Sequence, residues 1–334
     1  MIKKINSKTL IIAMFIFASC AKTAGSENNN GDNDWPAQDT LPAVDGQVSF
    51  NLAANEDFVN VMGVSTPRMP KFPALQAKKN FLRGYVVDLN GKPLKGAIIG
   101  VRSTQDGGWY SGVSGETNEK GYYEFKMPNG AASFYVAGYT IDYGQGRAPV
   151  SLYPADGRLE SFASANGSVG NFVLMPYGIA DRDKAGQKPR DEANYFGGSL
   201  YFSYIVDDPS DIYTDPGQLP ANAEILITLT PDGETLYGET RTFIINKRTA
   251  LNNFSVLNIP VGRYTISAKM KDGRQLKLRA TGTYATAYPF FGLKPAEAMG
   301  SAKVMFTPLF NSSQSTVVPG LGNWRMVQIK LELP

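Results

Sequence analysis

One cluster of acidic side chains has the composition of a metal-binding loop. Asp207, Asp208, Asp211 and Asp215 lie within nine residues around Pro209, and no Lys or Arg lies among them. Carboxylate oxygens are the ligands that Ca²⁺ prefers, so this cluster is the better of two calcium candidates in the chain. Asp and Pro are also common in plain turns. Two interpretations therefore stay open, a bound calcium ion that braces the loop and a simpler turn without one.

A second acidic stretch has nearly the spacing of a calcium loop. Asp181, Asp183 and Gly186 are followed by Glu192, but Ala185 offers no oxygen where a ligand is expected. Lys and Arg side chains within residues 182–190 also cancel the carboxylates. We interpret this stretch as a solvated linker.

Aromatic side chains are the most plausible ligand-binding residues of this chain. Trp109 and Tyr110 lie in a glycine-rich hairpin loop, and Tyr143, with Tyr139, flanks another glycine-containing turn. Exposed rings with polar ends stack on sugar faces, whereas strands of this kind also bury aromatics in their core. We predict Trp109, Tyr110 and Tyr143 as candidate ligand-binding residues. A further aromatic group at residues 284–291 is interpreted as core.

The chain contains no histidine and a single cysteine, Cys20. Internal disulfides, Cys₄ zinc sites and catalytic relays through imidazole are therefore excluded. Paired carboxylates remain as a route to glycoside hydrolysis, because such enzymes need only two acids about 5–10 Å apart. We expect no enzymatic activity, with a histidine-free glycosidase as the weakest alternative, and no cofactor other than the candidate calcium.

The N-terminus has the organisation of an export signal. Lysines occur at positions 3, 4 and 8, and the apolar run from Leu10 to Ala18 is shorter than the roughly 20 residues of a spanning helix. Residues 1–19 are thus predicted to be a signal peptide. The segment Phe17-Ala18-Ser19-Cys20 resembles a bacterial lipobox, which implies cleavage before Cys20 and lipidation of its thiol. Acyl chains on that residue anchor a protein in a membrane.

The charge balance argues against a nucleic-acid partner. The chain has 33 basic and 30 acidic residues, and the three leader lysines leave 30 against 30 after cleavage. Residues 20–45, rich in Asn, Asp, Gly and Ser, are predicted to form a flexible tether. Such tethers resemble those of surface lipoproteins in the Bacteroides group. This implies an outer-membrane location, possible surface exposure, and an envelope protein or extracellular glycan as partner.

The remainder of the chain predicts strands and turns. Residues 46–80 contain a short strand at residues 47–52 and a proline-interrupted stretch, and are expected to be an extended connector. From Phe81 onward, alternating apolar residues and tight turns predict β-hairpins. A charged stretch, residues 177–196, is predicted to link residues 81–176 to a second strand-rich region, residues 197–334.

The first of these regions resembles the carboxypeptidase regulatory-like domain. Residues 84–97 have the pattern Gly-x-Val-x-Asp-x-Asn-Gly-x-Pro-Leu-x-Gly-Ala, and residues 117–123 have Thr-Asn-x-x-Gly-x-Tyr. The pattern departs after Pro128, where Asn-Gly-Ala-Ala replaces the Pro-Gly-x-Tyr turn of the family. The resemblance implies a prealbumin-like sandwich used as a non-catalytic spacer or recruitment module, and it carries over no active-site residue.

The second region echoes the first. Residues 260–264, Pro-Val-Gly-Arg-Tyr, fit the family's turn better than the first region does, and residues 324–333 alternate as a closing strand. We therefore predict an all-β chain of two small Greek-key, prealbumin-like β-sandwich domains in tandem after a lipidated tether. The leading functional hypothesis is a non-catalytic structural or protein-interaction module, and the alternative is a carbohydrate-binding lipoprotein that uses aromatic loops.

Overall fold

The computed structural model describes residues 35–41, 44–104, 108–180, 192–207, 216–285, 287–309 and 317–334. The regular structure of these residues is β-strand, apart from two single-turn 3₁₀ helices at Ser164–Asn166 and Glu192–Asn194. The all-β prediction is confirmed. No helix among the described residues combines the length and the apolar character needed to cross a membrane.

Two strands precede the first sandwich, β1 (Gln47–Leu52) and β2 (Phe58–Asn60). The first sandwich then contains β3 (Phe81–Asp88), β4 (Ile98–Thr104), β5 (Tyr110–Glu116), β6 (Tyr122–Lys126), β7 (Ala131–Tyr143), β8 (Gly146–Ser151), β9 (Tyr153–Pro154), β10 (Phe162–Ala163), β11 (Ser168–Val169) and β12 (Phe172–Leu174). One of its sheets has the order β10-β7-β4-β5 with β8 paired to β7. The other has the order β11-β3-β12-β9 with β6 paired to β3.

The second sandwich is made of longer strands. It contains β13 (Gly198–Ser203), β14 (Glu224–Thr235), β15 (Thr242–Arg248), β16 (Asn253–Ile259), β17 (Gly262–Met270), β18 (Lys277–Thr281), β19 (Gly292–Lys294), β20 (Glu297–Met299), β21 (Ser301–Met305) and, after a ribbon of β22 (Thr307–Pro308) and β23 (Trp324–Arg325), β24 (Val327–Glu332). Its two six-stranded sheets have the orders β1-β15-β14-β17-β21-β19 and β2-β16-β13-β24-β18-β20.

The segment expected to be a connector contributes to both sheets of the second sandwich. β1 pairs in parallel with β15, from Gln47 opposite Thr242 to Leu52 opposite Lys247. β2 pairs in parallel with β16. Residues 64–78 carry no strand, as the prolines in that stretch predict. The two strands that precede the first sandwich in sequence, β1 and β2, are therefore edge strands of the second sandwich.

The predicted tether also ends earlier than expected. The Trp35 ring lies 5.1 Å from the Tyr85 ring in an edge-to-face arrangement and 6.3 Å from Phe72, so it packs on the first sandwich. Cys20 and most of the tether lie outside the described residues. So does the middle of the predicted linker, residues 181–191; its described ends meet in a bridge between Ile179 and Tyr195.

The sequence predicted Tyr143 as an exposed ligand-binding ring in a loop. In the structure, Tyr143 lies between the two sandwiches. It is 7% exposed, and its ring centroid lies 4.8 Å from Trp324 and 5.7 Å from Phe291. Its hydroxyl donates to the Gly262 carbonyl at 3.2 Å and accepts from the Phe306 N–H at 3.0 Å. Because both hydrogen-bonding roles and both ring faces are used within the protein, Tyr143 is a core residue. One continuous apolar core runs through both sandwiches.

Candidate functional site

The edge strand β5 presents one of its faces to solvent. Exposure alternates along it, with Tyr110, Gly112, Ser114 and Glu116 outward. Side chains of directly opposed residues in an antiparallel pair lie on the same face of the sheet. Thr104, Arg102 and Gly100 of β4 oppose the first three of these residues, in that order. The outward side chains of both strands therefore form one surface.

This surface and the residue just before it in sequence carry the most exposed large aromatic side chains of the described chain. Trp109 is 77% exposed and Tyr110 is 63% exposed, and they are neighbours in sequence at the start of β5. The guanidinium carbon of Arg102 lies 4.8 Å from the centroid of the Tyr110 ring, which is a cation–π arrangement. The predicted candidates Trp109 and Tyr110 are thus at the surface, beside a cation that the sequence analysis did not single out.

A third ring, Tyr135, completes the surface from the neighbouring strand. A β-bulge in β7 opposite Gly100 and Val101 brings this ring over β4 and β5. A Cβ added at Gly112 would lie 3.6 Å from Tyr135 Cε1, and one added at Gly100 would lie 2.9 Å from the same atom. The glycine on β4 makes room for the ring. The glycines on paired strands were the only sequence signal that could have found Tyr135.

We call Tyr110, Arg102 and Tyr135, with Gly100 and Gly112 between them, the aromatic face, and Trp109 adjoins it in sequence just before β5. Arg102 stands near its centre, opposite Gly112, whose outer side the Tyr135 ring covers. Leaving aside residues 105–107, which lie outside the described chain, no carboxylate oxygen comes within 4.0 Å of the Arg102 side chain. The face therefore offers two rings and one cation to a ligand, with the exposed ring of Trp109 adjacent in sequence.

The calcium candidates fall mostly outside the described residues. Asp208, Asp211 and Asp215 belong to a stretch that the structure leaves undescribed, and Asp207 is exposed, with its N–H donating to the Leu219 carbonyl at 2.8 Å. Over the described ranges, no group of three or more metal-ligating side chains is placed to hold an ion. Calcium binding near Asp207 stays a prediction.

The described buried carboxylates are held by arginines. Glu239 is 1% exposed and accepts from Arg241 Nε at 2.7 Å and from Nη2 at 2.6 Å. Glu332 is 8% exposed and lies 2.9 Å from Arg279. The hydrogen bond to Glu239 raises the pKa of Arg241. Carboxylates paired in this way brace strands and are poorly suited to act as glycosidase acids.

Two of the clefts elsewhere on the described chain are lined by charged or aromatic side chains. One, of about 760 Å³, is lined by Lys277, Arg279 and Lys330, whose charges already pair with Glu297 and Glu332. The other, of about 350 Å³, lies between the sandwiches and is lined by Tyr139 and Tyr237. Neither brings exposed aromatic rings together with an unpaired cation. A smaller pocket is lined by Tyr284 and Arg325, whose guanidinium carbon lies 4.2 Å from the Tyr284 ring. Tyr284 is 44% exposed and Phe290 47%, so the prediction that residues 284–291 are core is wrong for these two rings.

Comparison with known proteins leaves the family open. No family model matches the sequence, and no curated protein matches it significantly. The resemblance of residues 81–176 to the carboxypeptidase regulatory-like domain therefore stays a prediction.

Among solved structures, the chain is similar to three bacterial proteins at low identity. The Bacillus anthracis TIE protein is 19% identical over 60% of this chain, with a TM-score of 0.24, and the chain spans 32% of its length. An adhesin from Mobiluncus mulieris is 11% identical over 77% of this chain and 99% of its own, with a TM-score of 0.25. A streptococcal ancillary pilin is 11% identical over 76% of this chain and 64% of its own, with a TM-score of 0.20. Similarity at these TM-scores carries no argument about function.

Proposed function

We propose that this chain is a lipid-anchored protein of the bacterial cell envelope that binds a glycan through its aromatic face and performs no turnover chemistry. The observation that carries the proposal is the exposure of two adjacent rings, Trp109 at 77% and Tyr110 at 63%. Leaving large rings in water forgoes the free energy of burying them, so a contiguous exposed aromatic surface is typical of a binding site.

The chemistry of the face favours a sugar over a protein surface. Tyr110 and Tyr135, with the exposed Trp109 next to Tyr110 in sequence, offer apolar ring faces for the C–H side of a sugar ring, and Ser114 and Arg102 supply polar groups beside them. Gly100 and Gly112 leave the space over β4 and β5 that the Tyr135 ring occupies, so this ring lies against the sheet on the same surface as Arg102. Rings of this kind add contact area at a small entropic cost because they have two side-chain torsions.

Anchoring is the part of the proposal that rests on the sequence. The apolar leader and the lipobox-like segment before Cys20 support lipidation and an outer-membrane location with the folded part displayed outward. In bacteria that express the full chain, the protein should partition with detergent-extracted lipoproteins and incorporate labelled palmitate. Cys20→Ala should abolish both, and unchanged labelling would contradict lipidation at this residue.

The binding test uses purified residues 21–334 in affinity electrophoresis against a panel of host and plant polysaccharides, with and without calcium. We expect retardation by at least one polysaccharide, and we expect Trp109→Ala to abolish it without lowering the melting temperature. Phe290→Ala is the matched control, because Phe290 is a 47% exposed ring on the second sandwich. Retardation by no polysaccharide, or equal loss in both variants, would contradict glycan binding and leave protein docking or spacing as the role to pursue.

A further inference from the structure

Arg102 indicates the chemical class of the ligand. This step rests on the proposed binding of a glycan at the aromatic face. We infer that the glycan is acidic, and that Arg102 binds its carboxylate or sulfate groups while the neighbouring rings stack on its sugars. The inference follows from how this guanidinium is held, what surrounds it, and which other charges lie on the face.

Among the described residues, the Arg102 guanidinium lies against a ring and not against an acid. Its guanidinium carbon lies 4.8 Å from the centroid of the Tyr110 ring, on an exposed position of β4. A planar guanidinium whose face is covered by a ring keeps the N–H groups along its edges free to donate. That arrangement matches the two oxygens of a carboxylate, to which arginine donates in parallel.

Arg325, like Arg102, lies over a tyrosine ring, that of Tyr284 at 4.2 Å, whereas two partly buried arginines of the described chain pair with acids. Arg83 lies 3.1 Å from a Glu124 oxygen, and Arg241 lies 2.6 Å from a Glu239 oxygen. Apart from the undescribed residues 105–107, Arg102 has no such partner within 4.0 Å. Among the described residues, therefore, no acid competes with an anion that arrives from solvent, and Asp106 of the same hairpin lies in the undescribed segment.

The residues directly opposite Arg102 are small, and no described acid lies beside it. It lies opposite Gly112 on β5 and opposite Ser133 on β7. The outward acid on β5, Glu116, is four residues from Gly112, about 14 Å along the strand at the usual rise. That distance exceeds the Debye length of about 8 Å at physiological salt, so the charge of Glu116 is largely screened at Arg102.

The test compares two ligands that share one backbone. Polygalacturonate carries a carboxylate on each sugar, and fully methyl-esterified polygalacturonate does not. Affinity electrophoresis in EDTA, so that calcium cannot bridge the ligand, is run on wild type, Arg102→Gln and Arg102→Lys. Arg147→Gln is the control, because its side chain is 62% exposed and lies outside the aromatic face. Alginate and chondroitin sulfate extend the acidic set, and neutral glucans extend the neutral one.

We expect wild type to bind at least one acidic polysaccharide at least tenfold more tightly than its neutral comparators, and to lose affinity as salt rises. Arg102→Gln should lose most of this preference, Arg102→Lys should lose several-fold, and Arg147→Gln should behave as wild type, all with unchanged melting temperatures. Binding of neutral polysaccharides alone, or equal binding of both ligands unaffected by Arg102→Gln, would overturn the acidic inference and leave glycan binding intact. Retardation by no polysaccharide would overturn both.

Discussion

Three donors converge on one carboxylate, that of Glu124, on the outer side of β3 and β6. Lys78 Nζ donates at 2.7 Å, the Tyr122 hydroxyl at 2.6 Å, and Arg83 Nε lies at 3.1 Å. Burial by itself raises the pKa of this carboxyl, but the hydrogen bonds from Lys78 and Tyr122 and the charge of Arg83 outweigh it, so the pKa is lowered. Hydrogen bonding to Glu124 also contributes to raising the pKa of Tyr122 to about 12, after burial itself.

The network makes the stability of the protein depend on pH. Because the folded pKa of Glu124 lies below that of an unfolded glutamate, about 4.3, the ionised form favours the folded state. This contribution is fully present above the unfolded value and is lost as pH falls through the folded pKa. Glu124→Gln should cost about 1–2 kcal/mol at pH 7, and the cost should shrink toward zero in acid. Urea unfolding at a series of pH values measures it.

Glu160→Gln serves as the matched control for this prediction, because Glu160 is an exposed carboxylate of the same sandwich. It should change the free energy of unfolding by less than about 0.5 kcal/mol at any pH. A Glu124→Gln cost that stays constant from pH 7 to pH 3 would show that the network contributes through shape alone, and would contradict the electrostatic account.

For individual residues, the sequence predicted those whose type alone suggests a role. Trp109 and Tyr110 are where a glycine-rich hairpin loop predicts exposed rings. Tyr135 and Arg102 were missed because their place in the aromatic face depends on strand register and on a bulge, which residue types do not encode. Tyr143 was misplaced for a related reason: its ring partners Phe291 and Trp324 are more than 140 residues away in sequence and become neighbours only when the sandwiches pack.

The alternation of apolar and polar residues predicted the positions of individual strands. It did not predict which strands pair, because strands distant in sequence lie side by side in the sheets. The strand at residues 47–52 was expected, whereas its parallel pairing with β15, nearly 200 residues later, was not. The buried Lys247 of β15 stabilises the pairing of β1 with β15. Its Nζ donates to the carbonyls of Ala53, Ala54 and Glu56 at 2.7, 3.0 and 2.7 Å, which fixes the turn after β1. A lysine in a strand carries no sequence signal for such a distant turn.

Leu52 tests whether β1 belongs to the second sandwich. Its side chain is 5% exposed within the shared core, so Leu52→Ala should leave a cavity and cost about 2–4 kcal/mol. Ser49→Ala is the control, since Ser49 is an exposed residue of the same strand and should change stability by less than about 0.5 kcal/mol. Chemical denaturation monitored by tryptophan fluorescence compares the two. Equal, small effects would mean that residues 46–80 form the loose connector that the sequence favoured.

At the scale of the whole molecule, two sandwiches predicted as separate domains are built around one core. Strands β1 and β2 reach the second sandwich before the first begins, and the apolar cluster runs through both. Sandwich architecture could be predicted because it needs only alternating strands and turns. The common core could not, because it depends on shape complementarity between distant surfaces. Elements that share a core are expected to unfold together.

Tyr143 lies at the centre of that shared core and therefore tests whether the sandwiches unfold together. Wild type should give a single calorimetric transition whose measured and van't Hoff enthalpies agree. Tyr143→Ala removes the ring between Trp324 and Phe291, and should cost about 3–5 kcal/mol and resolve two transitions, because each sandwich then unfolds by itself. Tyr143→Phe keeps the ring but leaves the Phe306 N–H without its acceptor, and should cost about 1–3 kcal/mol within one transition. Two transitions in wild type would contradict a common core, because the Tyr143 ring would then not couple the unfolding of the two sandwiches.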